Sequence, residues 1–154
     1  MKLYLKQKAI SFGEKFTVRD ENGQERYWVE GSVFSFIKKL RIYDKHFQEI
    51  AAIHQKFWSW PPGYRVLIRE REVACVQSKL TLLYPRYTVE QLGWEVSGHF
   101  LEHDYTIAQN GETLATISKK WMSWGDSYQL EITDPANELT ALAVVLAIDC
   151  IKAS

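Results

Sequence analysis

Residues Leu139 to Ile148 read LTALAVVLAI, and the rest of the chain has to be arranged around them. At 3.6 residues per turn this run is apolar on every face except at Thr140, so no side of it can face water. Ten residues are too few to cross a bilayer, which takes about 20. The run is therefore a core helix that other elements must surround. Just before it stand Asp134 and Pro135, an N-cap residue followed by the residue best tolerated at the first helical position. This predicts one helix over 135–152. Asp149 lies in its last turns, where the helix dipole disfavours a carboxylate, so it needs a hydrogen-bonding or basic partner.

N-terminal to this helix the pattern changes. From Lys2 to Thr133 short stretches of alternation are cut by turn signals every eight to twelve residues, the period of half-buried strands. Asn22-Gly23 and Asn110-Gly111 are hairpin turns. About twelve strands are expected. Six Trp, eight Tyr and seven Phe in 154 residues suit sheets better than helices. The chain length and its 46% apolar content fit one folded domain spanning 1–154.

An internal repeat orders the strands. Residues 50–68 align with 114–132 at an offset of 64, pairing Ala51 with Ala115, Ile53 with Ile117, Lys56 with Lys120, Ser59 with Ser123, Trp60 with Trp124, Tyr64 with Tyr128 and Ile68 with Ile132. Upstream the offset becomes 67, pairing Val29-Glu30-Gly31 with Val96-Ser97-Gly98, and then 71, pairing Lys15 to Val18 with Arg86 to Val89. Offsets that change only at turns are what a duplicated six-stranded unit with trimmed loops leaves. The halves are 1–72 and 73–133. A barrel of about twelve strands has a lumen between the filled eight-stranded and the open sixteen-stranded kinds, and a helix of about 10 to 12 Å diameter would fill it. The expected fold is mainly β: a closed antiparallel barrel around the C-terminal helix, which also removes sheet edges.

Several stretches together, KLYLKQKAISFGEKFTVRDENGQERYWVEG, SFIKKLRIYD, WEVSGHFLEHDYTI, SWGDSYQLEI and ALAVVLAID, resemble the LURP-one-related family, in particular its bacterial YxjI-like branch. The resemblance covers nearly the whole chain. It implies the tubby C-terminal-like fold, shared with tubby proteins and phospholipid scramblases, and implies no established activity. Phosphoinositide binding by tubby domains and calcium or membrane association of scramblases are analogies at the level of fold.

The chemistry in the sequence is sparse. Nineteen Lys+Arg balance nineteen Asp+Glu, so no global field draws the chain to nucleic acid, and anion binding needs a local patch. Cys75 and Cys150 are the two cysteines, without C-x-x-C spacing, which suits a reducing compartment. G-x-S-x-G, G-x-G-x-x-G, P-loop and H-E-x-x-H patterns do not occur. A non-enzymatic, cytoplasmic binding module without a cofactor is the expectation. His99 and His103, four apart with Glu102 and Asp104 beside them, would share one side of a strand, but two His are short of a zinc site. Asp126, Glu131, Asp134 and Glu138 lack the spacing of a calcium loop. No metal is expected.

Two features remain as candidate binding residues. Lys38, Lys39 and Arg41 form the densest basic cluster and are read as contacts for phosphate head groups, against a plain solvated strand. Trp58, Trp60, Trp121 and Trp124 lie in the twin segments FWSWPPGY and WMSWGDSY, read either as duplicated packing or as side chains touching a membrane interface, ligand or partner. The leading ligand class is anionic phospholipid, with the protein peripheral to the membrane. A protein-interaction scaffold without lipid affinity is the alternative, and an enzyme with a pocket at the barrel mouth is third.

Overall fold

A computed structural model describes residues 1–6, 15–34, 37–79, 86–123 and 125–153. Its strands are β1 (Lys2–Lys6), β2 (Lys15–Asp20), β3 (Glu25–Phe34), β4 (Ile37–Tyr43), β5 (Glu49–Gln55), β6 (Gly63–Ile68), β7 (Arg71–Lys79), β8 (Arg86–Glu90), β9 (Trp94–His99), β10 (Asp104–Gln109), β11 (Glu112–Met122) and β12 (Gly125–Ile132). Every strand is antiparallel to its sequence neighbours, and β1 pairs with β12 to close a twelve-stranded barrel. The helix α1 (Glu138–Lys152) runs through it. Period-two alternation shows in the burial: Leu40 and Ile42 are inaccessible while Arg41 between them is exposed.

Residues 141–148 of α1 are inaccessible to solvent on all sides, as the unbroken apolar run requires. Its start differs in detail from the expected one. Asp134 accepts a hydrogen bond from the Ala136 N–H at 2.9 Å, but the turn it caps is a 3-10 turn over Pro135–Asn137, and α1 begins at Glu138. Glu138 is buried and accepts from Arg26 Nε and Nη2 at 2.5 and 3.1 Å. This two-point contact anchors the helix start to β3 and raises the guanidinium pKa.

Several of the pairs aligned in the sequence lie on strands six apart, while Lys56, Ser59, Trp60 and Ser123 lie outside strands and Trp124 lies outside the described residues. Ala51↔Ile68 and Ile53↔Val66 in β5–β6 recur as Ala115↔Ile132 and Ile117↔Leu130 in β11–β12. Val18↔Tyr27 and Thr17↔Trp28 in β2–β3 recur as Val89↔Trp94 and Thr88↔Glu95 in β8–β9. There the equivalence stops. The first pair continues through Phe16↔Val29 to Lys15↔Glu30, whereas the second has no further rung among the described residues.

Since α1 enters at one end and finishes at the other, the barrel has a proximal rim, where the helix starts, and a distal rim, where it ends. The strand ends at Lys6 and Lys15, Phe34 and Ile37, Gln55 and Gly63, Lys79 and Arg86, His99 and Asp104, and Met122 and Gly125 are distal.

Candidate functional site

The β5–β6 connection after Gln55 is pinned at both ends. The Lys56 N–H donates to Gly63 O at 2.9 Å, the Ser78 N–H donates to Pro62 O at 3.0 Å, and the Gln77 amide donates to the Pro61 and Pro62 carbonyls. What this braced loop carries is apolar and outside. Trp58 and Trp60 are 89% and 80% exposed, and Phe57 packs edge-on to Trp58 at 5.1 Å. A cavity of about 510 Å3 lies among Ile37, Gln55, Lys56, Phe57, Trp58 and Ser59. Trp121, 77% exposed, projects near the β11–β12 turn, and Leu101 is exposed after β9. All these side chains are distal. The other exposed large apolar residue among those described, Phe47, is proximal. Packing therefore does not account for Trp58, Trp60 or Trp121, and Trp124 lies outside the described residues.

Charge is segregated along the same axis. Divided at strand midpoints, the described distal half holds Lys6, Lys15, Lys38, Lys39, Lys56, Arg65, Lys79, Arg86, Lys119, Lys120 and Lys152 against Glu30, Glu102, Asp104, Asp126 and Asp149. The proximal half holds the other carboxylates, apart from Glu14 outside the described residues, against only Lys2, Arg19, Arg26, Arg41, Lys45, Arg69 and Arg71. Among the described residues of this chain of zero net charge, the end that carries the exposed tryptophans is thus positive. The sum over the sequence hid this, because the two ends cancel.

The basic cluster of β4 is split by the strand's own geometry. Lys38 shares the lumen side with Leu40 and Ile42, and its charge acts on the buried Cys150 thiol, whose pKa is raised mainly by burial. Lys39 and Arg41 point outward, and Arg41 pairs with Glu49 at 3.1 Å. The three do not form one outward patch, because the adjacent Lys38 and Lys39 point to opposite faces of the strand. The outward cations that do meet come from three strands. Lys39, His54 and Arg65 form one cross-strand row on β4, β5 and β6. Burial, then Lys39, Arg65 and Arg41, push the His54 pKa below its ordinary value. Arg65 also lies 3.8 Å from Glu72. This row was missed because its members are far apart in sequence, and only the pairing of strands brings them together.

The helix end is fixed by a buried polar cluster. The Asp149 carboxylate accepts from Tyr128 OH, lies 3.1 Å from His103 Nε2 and 3.4 Å from Lys152 Nζ. Lys152 Nζ donates to Phe100 O at 2.7 Å, and the His103 and Tyr128 rings stack at 4.0 Å. Burial first, and the Asp149 charge second, hold the Tyr128 and Tyr105 hydroxyl pKa values well above the ordinary range. Asp149 thus has the partners that its place on the helix dipole requires. His99 and His103 do not share a strand, because a 3-10 turn over Phe100–Glu102 separates them and leaves His99 exposed and His103 buried. Asp126 is distal while Glu131, Asp134 and Glu138 are proximal, so that acidic stretch does not converge on a cation.

This combination of a closed barrel, a threaded helix and one apolar cationic rim can be set beside known proteins. The chain matches the LURP-one-related family over residues 1–149. It belongs to that family. It is 32% identical over 151 residues to the protein YxjI of Bacillus subtilis (strain 168), covering 98% of this chain and 93% of that one. Its backbone also superposes on an X-ray structure of an Arabidopsis thaliana protein with a TM-score of 0.64 at 14% identity, over 98% of this chain and 90% of that chain. Family and fold thus agree with the resemblance read from the sequence. In this LURP-one-related barrel no described helix is long and apolar enough to cross a membrane.

Proposed function

We propose that the protein is a non-enzymatic binding module that docks, distal rim first, on the anionic phospholipid surface of a membrane facing the cytoplasm. The observation that carries this reading is the coincidence, at one end of an electrically neutral barrel, of the exposed Trp58, Trp60 and Trp121 with the excess of Lys and Arg. Trp is favoured at the boundary between head groups and acyl chains, and each cation near an anionic leaflet contributes about 1 kcal/mol. Zero net charge does not oppose this. A tilted strand of six residues separates the rims by about 15 Å, against a Debye length of about 8 Å, so the acidic rim is screened from the surface that the basic rim meets. The same separation sets the orientation, with α1 ending toward the membrane.

Sedimentation with vesicles tests the reading. The protein should partition with phosphatidylglycerol vesicles and not with phosphatidylcholine vesicles, and binding should fall as salt rises. Lys39→Glu combined with Lys56→Glu should lower it at least about tenfold, by the loss and reversal of two cations. Trp58→Ala with Trp60→Ala should lower it further without changing its salt dependence. No partition at low salt would overturn the lipid reading in favour of the scaffold one.

A further inference from the structure

The turns after β2 and β4 are built alike and differ at one position. In Asp20-Glu21-Asn22-Gly23-Gln24 the Asp20 carboxylate accepts from the Asn22 and Gln24 N–H groups at 2.9 and 3.0 Å, and the Gly23 N–H donates to Asp20 O at 3.0 Å. In Asp44-Lys45-His46-Phe47-Gln48 the Asp44 carboxylate accepts from the His46 and Gln48 N–H groups at 2.8 and 3.1 Å, and the Phe47 N–H donates to Asp44 O at 2.9 Å. The fourth residue is left-handed in both turns, at φ +76° for Gly23 and +58° for Phe47. Glycine takes that conformation freely, whereas a bulky side chain is strained in it. Burial does not offset the strain, since Phe47 is 70% exposed. Backbone strain beneath an exposed aromatic ring points to a role for the ring outside the core.

The neighbours of Phe47 give that role a chemistry. Phe47 leans over Trp28, with ring centroids 5.4 Å apart at 46°, and Tyr43 stands opposite Trp28 on the next strand. The three rings line a cavity of about 270 Å3 on the outer wall, together with Lys15, Val29 and Glu30. Aromatic faces are electronegative, and several around one cavity favour an alkylated ammonium group. Glu30 adds a full charge of the right sign. It faces Lys15 on β2 and Arg41 on β4, yet Arg41 is held by Glu49 at 3.1 Å, and no ion pair to Glu30 forms among the described residues. Lys15, at the distal end of β2, opposes a cation beside it and so favours the aromatic end of the cavity. The rings stand on the proximal half, where the described carboxylates outnumber the Lys and Arg side chains.

We infer that this cavity binds a free small molecule bearing a methylated ammonium group, seated among Trp28, Tyr43 and Phe47 with Glu30 as its counter-ion. The volume is at the lower edge of small-molecule pockets, which suits a compound of choline's size. The site lies on the outer wall of β3 and β4, apart from Trp58, Trp60 and Trp121, and survives or falls without the membrane-docking reading.

Titration of the full-length protein with choline and with neohexanol, its uncharged isostere, followed by amide and indole N–H chemical shifts, tests it. Choline should shift the Trp28 indole and the Tyr43 and Phe47 amides. Neohexanol should bind at least about tenfold more weakly, the combined effect of rings and carboxylate on a positive charge. Glu30→Gln should weaken choline binding at least about threefold and leave neohexanol binding as it is. Phe47→Gly removes one wall of the cavity and relieves the turn, so choline binding should fall at least about threefold while the other amide shifts remain those of the folded barrel. The Gly23 turn shows that glycine is accommodated at this position. The inference is overturned if neohexanol binds as well as choline, if either variant binds choline as the parent does, or if choline gives no shift at about 20 mM. Binding to phosphatidylcholine vesicles that choline competes away would assign the ammonium to a membrane lipid and overturn the free-molecule source.

Discussion

Strands β2 and β3 of the first half and β8 and β9 of the second leave their hairpins in the same register, Val18↔Tyr27 against Val89↔Trp94, and part after the next rung. The first pair runs on to Lys15↔Glu30; the second opens around a cavity. A second contrast runs the other way. The first half carries the outward row Lys39, His54 and Arg65, while at the rung equivalent to His54↔Arg65 the second half has Ser118↔Gln129. The two halves thus share the register and the inward apolar side chains at these rungs and differ at outward and rim positions. Outward positions are free to differ in this way, because substitutions there cost little stability.

The largest expected effect is on what the halves share. Helix α1 packs against β5, β6 and β7 on one side and against β12 on another, so it holds both halves together. Val145 is inaccessible, and Val145→Asp puts an unpaired charge in this core. The cost of several kcal/mol is comparable with the whole stability of a domain, about 5 to 15 kcal/mol. The variant should yield no cooperatively folded protein by near-UV circular dichroism. A variant that kept one half folded would show the halves to be independent, against the shared core.

Next comes Gly98→Ala, directed at the close approach of β9 to β10. A methyl group there meets β10 backbone at 2.6 Å in a left-handed backbone region, and the expected loss is about 3 kcal/mol in urea unfolding. Gly23→Ala is its control. Gly23, at φ +76°, has nothing within 4 Å of a built Cβ, so the loss should be about 1 kcal/mol, from backbone strain alone. Equal losses would mean that contact with β10 does not shape β9. A smaller effect separates the two seams without mutation. Amide exchange at Tyr87 and Val96 should be at least about tenfold faster than at Phe16 and Val29, their counterparts in the closed seam.

The parts of this architecture that could be read in the sequence are those fixed by short-range pattern. The run from Leu139 to Ile148 required enclosure, and the hairpin turns marked the strands. The rims could not be read in this way. Trp58 and Trp60 have the composition of a core, and only the braced loop that carries them shows that they face outward. Lys38 could have been separated from Lys39 by strand alternation alone. The row of Lys39, His54 and Arg65, and the separation of charge between the rims, depend on pairing across the barrel, which no local window contains.

The smallest expected effect concerns that row, which only the first half carries. Because burial and then Lys39, Arg65 and Arg41 lower the His54 pKa in the folded protein, the unfolded chain takes up the proton first as pH falls. The associated stability is complete above the unfolded value of about 6.5 and is lost as pH falls through the folded value. A phosphate group on the row reverses the electrostatics: it raises the His54 pKa, so anion binding draws in a proton and strengthens on acidification. Vesicle binding should therefore rise about threefold from pH 7.5 to pH 5.5. His54→Gln, which keeps a polar side chain and cannot titrate, should flatten that profile while leaving binding at pH 7.5 within about twofold. A profile that stays steep in His54→Gln would assign the pH dependence to another group and remove the row from the docking surface. A flattened one would place the anion contact on β4, β5 and β6, the strands whose counterparts in the second half present Ser118 and Gln129 instead.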